Sequence, residues 1–258
     1  MLPASYPPRL CNDVLLMRAE LQQARKLANS DLVPVLKCPA LGPDTQINDS
    51  LAIVEYLAEA NPDLTLWPVD PYLRALARSA AAQMHSGFKE MRSTYHTNFV
   101  AQYTGAVPIT DDAKKEIEKM LALWADSRKK TAAKLKELSH EDEGFLFGKF
   151  SIADAFFWPV LWVCVVVLFF FYVGWCRSDL ITSLQRFRTY NLPLDTAPPE
   201  AIAWMKKMWN DPKVKEEGHL YYDEAKRPET VFPPFEDLYK GNPDVQYGQF
   251  TPDWEFEA

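Results

Sequence analysis

The 258-residue chain is poor in glycine and histidine, and its cysteines are not grouped. Nine glycines is about half the usual share, which disfavours turn-rich β folds and favours helices. No GxGxxG or GxxxxGKS/T run occurs, so nothing marks a nucleotide phosphate loop. The four cysteines (Cys11, Cys38, Cys164, Cys176) form no CxxC, and the four histidines include no HExxH. That spacing excludes a disulfide scaffold and a zinc site, fits a reducing compartment, and leaves no metal to expect. Basic runs are missing too. With 35 acidic against 28 basic residues the net charge is −7, so the electrostatic footprint of nucleic-acid binding is absent. Met1 to Val14 has no basic start followed by an apolar block, so a secretory signal is not expected and a cytoplasmic location is. There are no internal repeats.

What is present is mostly helical periodicity. Residues 14–24 read as a modestly amphipathic helix. Leu32-Val33-Pro34-Val35-Leu36 is a short apolar run containing a proline, hence an edge strand or one entered through a special turn. Thr45-Gln46-Ile47 is its hairpin partner, and Asp49-Ser50 opens a helix that Asn61-Pro62 closes. A helix is expected from Pro71 to Arg92, then a loop over 93–110. A long helix follows to about Leu138, with Ile117, Met120, Leu121, Trp124 and Leu135 as its buried stripe. Its Lys114-Lys115-Glu116 run reads as a solvated face. Ser151-Ile152-Ala153-Asp154 is a capping box, so Ser151 and Asp154 read as helix caps and not as a catalytic pair. Pro199 starts another helix with Ile202, Met205 and Trp209 inward. The Pro-, Tyr- and acid-rich residues 218–258 read as an extended or partly ordered appendage.

The order of these motifs carries a resemblance. A Val-Pro strand, an acidic-Ser helix start, then SLAIVEYLAE (50–59), LWPVDPYLRALARS (66–79), AAQMHSGFKEMR (81–92) and FLFGKFSIADAFFWPV (145–160) resemble a cytosolic glutathione S-transferase. The likeness runs from about Leu32 to Trp162 and resumes from Arg186 to about Val214. It implies an α/β plus all-α fold. An incomplete thioredoxin-like, glutathione-binding domain (1–66) would precede a helical domain (67–217), with the tail (218–258) after it. It also implies a homodimer. The activity would join the glutathione thiolate to a small electrophile, as in detoxification, or use glutathione for an isomerisation. Pro34 would be a cis-proline, with Val33 offering its backbone N–H and C=O to the cysteinyl part of glutathione. Asp49 would face the γ-glutamyl ammonium and Ser50 its carboxylate. His85, Phe88 and Arg92 would border the second-substrate pocket. His85 and Arg92 also have plain structural readings, as a packed histidine and a helix neighbour's partner.

The first strand and helix of that pattern are not recognisable in residues 1–31, so the start reads as a truncated or alternative beginning. The residue that activates the thiol is therefore unknown, although Ser5, Tyr6 and Cys11 have suitable chemistry. A second departure is the run between Asp154 and Arg177, 22 positions without a charge. By length and polarity it passes for a membrane span, with Trp158, Trp162, Tyr172 and Trp175 as interface anchors. It also reads as a soluble insertion at 163–185 or, in the account that fits the resemblance better, as a translated intron. Val163-Cys164 accommodates a GT donor, Phe169 to Tyr172 a pyrimidine tract, and Leu184-Gln185 a terminal CAG. Removing 163–185 places Ile152, Phe156, Val160 and Phe187 on one helical stripe. Three functions stay open: a glutathione-dependent enzyme, a catalytically impaired transferase-like module for protein association, and a membrane-anchored protein using residues 155–176.

Overall fold

The computed structural model describes residues 35–38, 41, 42, 45–95, 98, 100–158, 183–226 and 237–250. These fall into two compact units, with the boundary between Leu64 and Thr65. The expectations for Val33, Pro34, residues 14–24 and nearly all of 163–185 lie outside the described residues.

The first unit is a hairpin followed by a helix. Strand β1 (Val35–Lys37) pairs antiparallel with β2 (Gln46–Asn48), with Leu36 opposite Ile47. The Cys38 amide donates to the Thr45 carbonyl at 2.9 Å and closes the reversal. Helix α1 (Ser50–Ala60) follows at once, capped by Asp49 at one end and by Asn61 at the other, where the expectation put them. Leu36, Cys38, Ile53, Val54 and Leu57 form its buried face. Alternating strand residues and i, i+4 helix residues thus meet on one apolar surface.

The second unit begins with α2 (Pro71–Ser86) and α3 (Lys89–Thr94). The single helix expected over 71–92 is broken between them. Gly87 takes an extended conformation, where a Cβ would come within 2.6 Å of the Gln83 carbonyl oxygen. Phe88 follows in the left-handed region at φ 56°. Helix α4 (Asp111–Leu138) starts at Thr110, whose hydroxyl accepts from the Ala113 amide at 3.1 Å. All five residues expected in its stripe are buried. Glu116 does more than face solvent, since its carboxylate accepts from the Met91 amide at 2.8 Å and so serves the first turn of α3.

Helix α5 (Ile152–Phe157), α6 (Ser183–Thr189), α7 (Pro199–Asn210) and α8 (Pro212–Ala225) complete the helical part. Helix α4 packs on α7, and α2 packs on α5. Trp124 lies at the centre, its ring centroid 4.6 Å from that of Trp204 and 5.6 Å from those of Phe157 and Phe187. Aromatic rings at such separations add to the area they bury. In α7 Trp204 takes the innermost place, and Ile202 is only half-buried.

Asp154 ties the unit together. It is fully buried, and its Oδ1 accepts from the Leu146 amide at 2.8 Å and from Trp204 Nε1 at 2.9 Å. Oδ2 accepts from the Ser151 amide at 3.0 Å and the Ser151 hydroxyl at 3.1 Å, within the expected capping box. Burial pushes the carboxyl up from the ordinary carboxylate range, and these four donors oppose that push.

Two expectations are corrected. The loop expected over 93–110 contains a strand, β3 (Ala101–Gly105), and the tail supplies its partner, β4 (Val245–Gln249), antiparallel with Tyr103 opposite Tyr247. Helix α8 also runs past residue 217, where the appendage was to begin. Gly105 has φ +88°, and a Cβ there would stand 2.3 Å from the Asp244 carbonyl oxygen, so the close approach of the tail requires glycine. Tyr103 stacks on Tyr190 at 5.2 Å and meets the tail residue Tyr239 edge-on at 5.1 Å, while its hydroxyl accepts from the Leu238 amide. Both strands lack a local partner, which is why neither stood out in the sequence.

Two predictions follow from these contacts. Asp154→Ala leaves the Leu146 N–H and the Trp204 indole N–H buried without acceptors, each costing about 1–3 kcal/mol. Urea unfolding should show a loss of about 3 kcal/mol, and a loss under about 1 kcal/mol would contradict the role given to the carboxylate. Burial also raises the Tyr95 and Tyr103 phenols to about 12. An unfolded phenol loses its proton near 10, so the folded state holds more protons between the two values and stability must fall as pH rises from about 10 to 12. Absorbance at 295 nm should show these two phenols among the late-ionising tyrosines, together with unfolding. Complete ionisation near pH 10 in the folded protein would refute it.

Candidate functional site

In the first unit, the chemistry collects where β2 turns into α1. Asp49 sits at φ 76°, ψ 128°, a backbone conformation that non-glycine residues rarely adopt and that folded proteins hold mostly at ligand sites. Its Oδ1 accepts from the Leu51 amide at 2.8 Å and the Ala52 amide at 3.4 Å. One oxygen is thus committed to capping the helix, a role the ligand-facing expectation did not include. Ser50 is the first residue of α1 and only 1 % exposed, and its hydroxyl has no hydrogen-bond partner among the described residues. A buried hydroxyl is normally paired, so this one is an unmet donor and acceptor at the positive end of a helix. Ser50 thus offers an anionic group a polar contact at the helix start, and Asp49 sets a negative charge beside it.

The first unit also holds a pair that sequence reasoning missed. The Cys38 sulfur and the Tyr56 hydroxyl are 2.8 Å apart, joining the hairpin turn to α1. The hydrogen bond to Cys38, with some burial, raises the Tyr56 phenol above its ordinary value. Tyr56 lies 18 positions from Cys38, and no local spacing signals their meeting.

In the second unit, the structure brings His85 and Arg92 together at the break between α2 and α3. Arg92 Nη1 donates to the His85 and Gly87 carbonyl oxygens, each at 3.3 Å, so the guanidinium serves the open end of α2. The His85 ring meets Phe156 of α5 edge-on at 6.3 Å. Phe88 is 4 % exposed, with the Lys119 ammonium 5.6 Å from its ring centre. Phe88 is therefore a core residue, and the plain structural readings of His85 and Arg92 describe their observed contacts. Among the described residues no group of three or more His, Cys, Asp or Glu is arranged to hold a metal ion. Among the same residues no helix is long and apolar enough to cross a membrane, and most of the 155–176 run lies outside them.

A four-helix core around Trp124, with a buried capping aspartate at the start of α5, defines a helical domain. Residues 107–207 match the family model of the glutathione S-transferase C-terminal domain. The chain also has a more distant likeness to maleylacetoacetate isomerases. A probable maleylacetoacetate isomerase of Caenorhabditis elegans is 38% identical over 74 residues, covering 28% of this chain and 35% of that protein. A maleylacetoacetate isomerase of Dictyostelium discoideum is 37% identical over 87 residues, covering 33% and 37% respectively. The chain therefore spans about a third of the length of the curated relatives it matches.

Proposed function

We propose that the chain binds glutathione at the start of α1 and uses it in an isomerisation or a conjugation. The observation that carries this reading is the buried Ser50 hydroxyl without a partner, set at a helix N-terminus beside a strained Asp49. A carboxylate placed there would accept from the Ser50 hydroxyl and would meet the positive end of the helix, while the Leu51 and Ala52 amides stay with Asp49. The γ-glutamyl end of glutathione has such a carboxylate next to an ammonium, and Asp49 supplies the opposite charge for the latter. Val33 and Pro34 would then present the backbone to the cysteinyl part, and residues 35–64 would be the later half of a thioredoxin-like domain. The helical family domain agrees with this reading.

Bound glutathione would supply a thiol that, once ionised, attacks an electrophilic carbon or adds reversibly to a double bond. The likeness to proteins named maleylacetoacetate isomerase favours the reversible use, in which the thiol is regenerated. The role of this chain's own residues is to fix the peptide by its amino-terminal end, so that the sulfur is held in one place. The residue that lowers the thiol pKa is not assigned. His85, Phe88 and Arg92 remain the proposed border of a second-substrate pocket, with a homodimer as the assembly.

Ser50→Ala separates the ligand role from a structural one. Removing a buried hydroxyl that lacks a partner should leave unfolding stability unchanged or slightly higher. Retention on glutathione-agarose should fall about tenfold, the loss of one charge-assisted hydrogen bond. Equal retention by the variant and the parent would overturn the assignment.

A further inference from the structure

The contacts made by α5 and α6 are related by a constant offset. Phe157 and Phe187 both lie against the Trp124 ring, each at 5.6 Å between centroids. Trp158 meets the Trp209 ring at 4.6 Å, and the Arg188 guanidinium lies 5.1 Å from the centre of that same ring. Phe156 touches His85, and Arg186 lies close enough to Arg92 for their charges to repel, while Arg92 itself donates to the His85 carbonyl. Phe157 and Phe187 thus share Trp124, Trp158 (the C-cap of α5) and Arg188 share Trp209, and Phe156 and Arg186 face the neighbours His85 and Arg92, so every pair differs by 30 in number. Elements running in opposite directions would keep the sum of the numbers constant. A constant difference means that they run the same way.

A single helix brings a residue back to the same face after three or four positions, and again after seven, which turn it by about 700° and advance it about 10.5 Å. Two rings each 5.6 Å from Trp124 can be no further apart than about that advance. Eleven positions also return to the same face but advance about 16.5 Å, out of reach of one indole. A return of three or four would set the Phe157 and Phe187 rings against each other, and among the described residues both rings meet Trp124 and not one another, so the offset of 30 is a helical repeat of seven with 23 residues added. We infer that α5 and α6 are the two halves of one helix, and that 23 residues between them form a removable block. This is independent of any reading of the Ser50 site. The partners Trp124, Trp209 and the His85–Arg92 pair are already set in the register a continuous helix needs. Both halves are also tied down separately, α5 through Asp154 and α6 through the Thr189 hydroxyl donating to the Asn98 carbonyl. Pro159 would lie inside the joined helix and bend it there.

The test compares the full chain with two deletions. Deleting 163–185 removes 23 residues and leaves the offset at seven. Deleting 163–183 removes 21 and leaves it at nine, half a turn out of register. The first variant should keep the near-ultraviolet circular dichroism of the packed tryptophans and melt at or above the full chain. The second should lose that signal and melt at least about 10 °C lower, as loss of one side of an aromatic core demands. The inference is overturned if the 23-residue deletion fails to fold or melts below the full chain. It is equally overturned if the 21-residue deletion is as stable as the 23-residue one.

Discussion

The buried carboxylate of Asp154 is the constraint on which the helical unit depends. It has to be satisfied where it sits, because a charged or polar group cut off from water costs several kcal/mol unless donors surround it. Its four donors come from three places: Ser151 at the start of α5, Leu146 in the preceding loop, and Trp204 in α7. Meeting the first fixes where the helix begins. Meeting the second holds the loop, which Thr131 of α4 also binds through the Leu146 carbonyl at 2.8 Å. Meeting the third orients the indole that packs on Trp124. One side chain thus sets both the entry angle of α5 and the arrangement of the aromatic centre.

What could be read from the sequence was what short-range chemistry decides. The stripe on α4, the capping box and the ends of α1 each depend on residues within a few positions of one another. Elements that depend on distant partners were not legible. Strands β3 and β4 become strands only by meeting each other, and the Tyr103–Tyr190–Tyr239 contacts that hold them come from three separate stretches of the chain. The break in the expected 71–92 helix turns on Phe88 accepting a left-handed conformation so that its ring can be buried. No propensity scale favours that choice for phenylalanine. Glu116 looked like part of a solvated charge run until the α3 amide it serves was in place.

The candidate site divides in the same way. An acidic residue followed by serine before an apolar helix marks a helix start, and such a start is by nature a place for anions. The strain at Asp49 and the missing partner of Ser50 are properties of the folded backbone and of packing, and neither has a sequence signature. The Cys38–Tyr56 contact likewise needs the hairpin to exist first. For Phe88 and Arg92 the fold shows structural roles, since one is core and the other completes a helix end.

The central claim is that the first turn of α1 holds the amino-terminal carboxylate of glutathione. A crystal structure of the chain with glutathione tests it most directly. The account requires the γ-glutamyl carboxylate within hydrogen-bond distance of the Ser50 hydroxyl. A structure with the tripeptide bound elsewhere, and the Ser50 hydroxyl still without a partner, would contradict it.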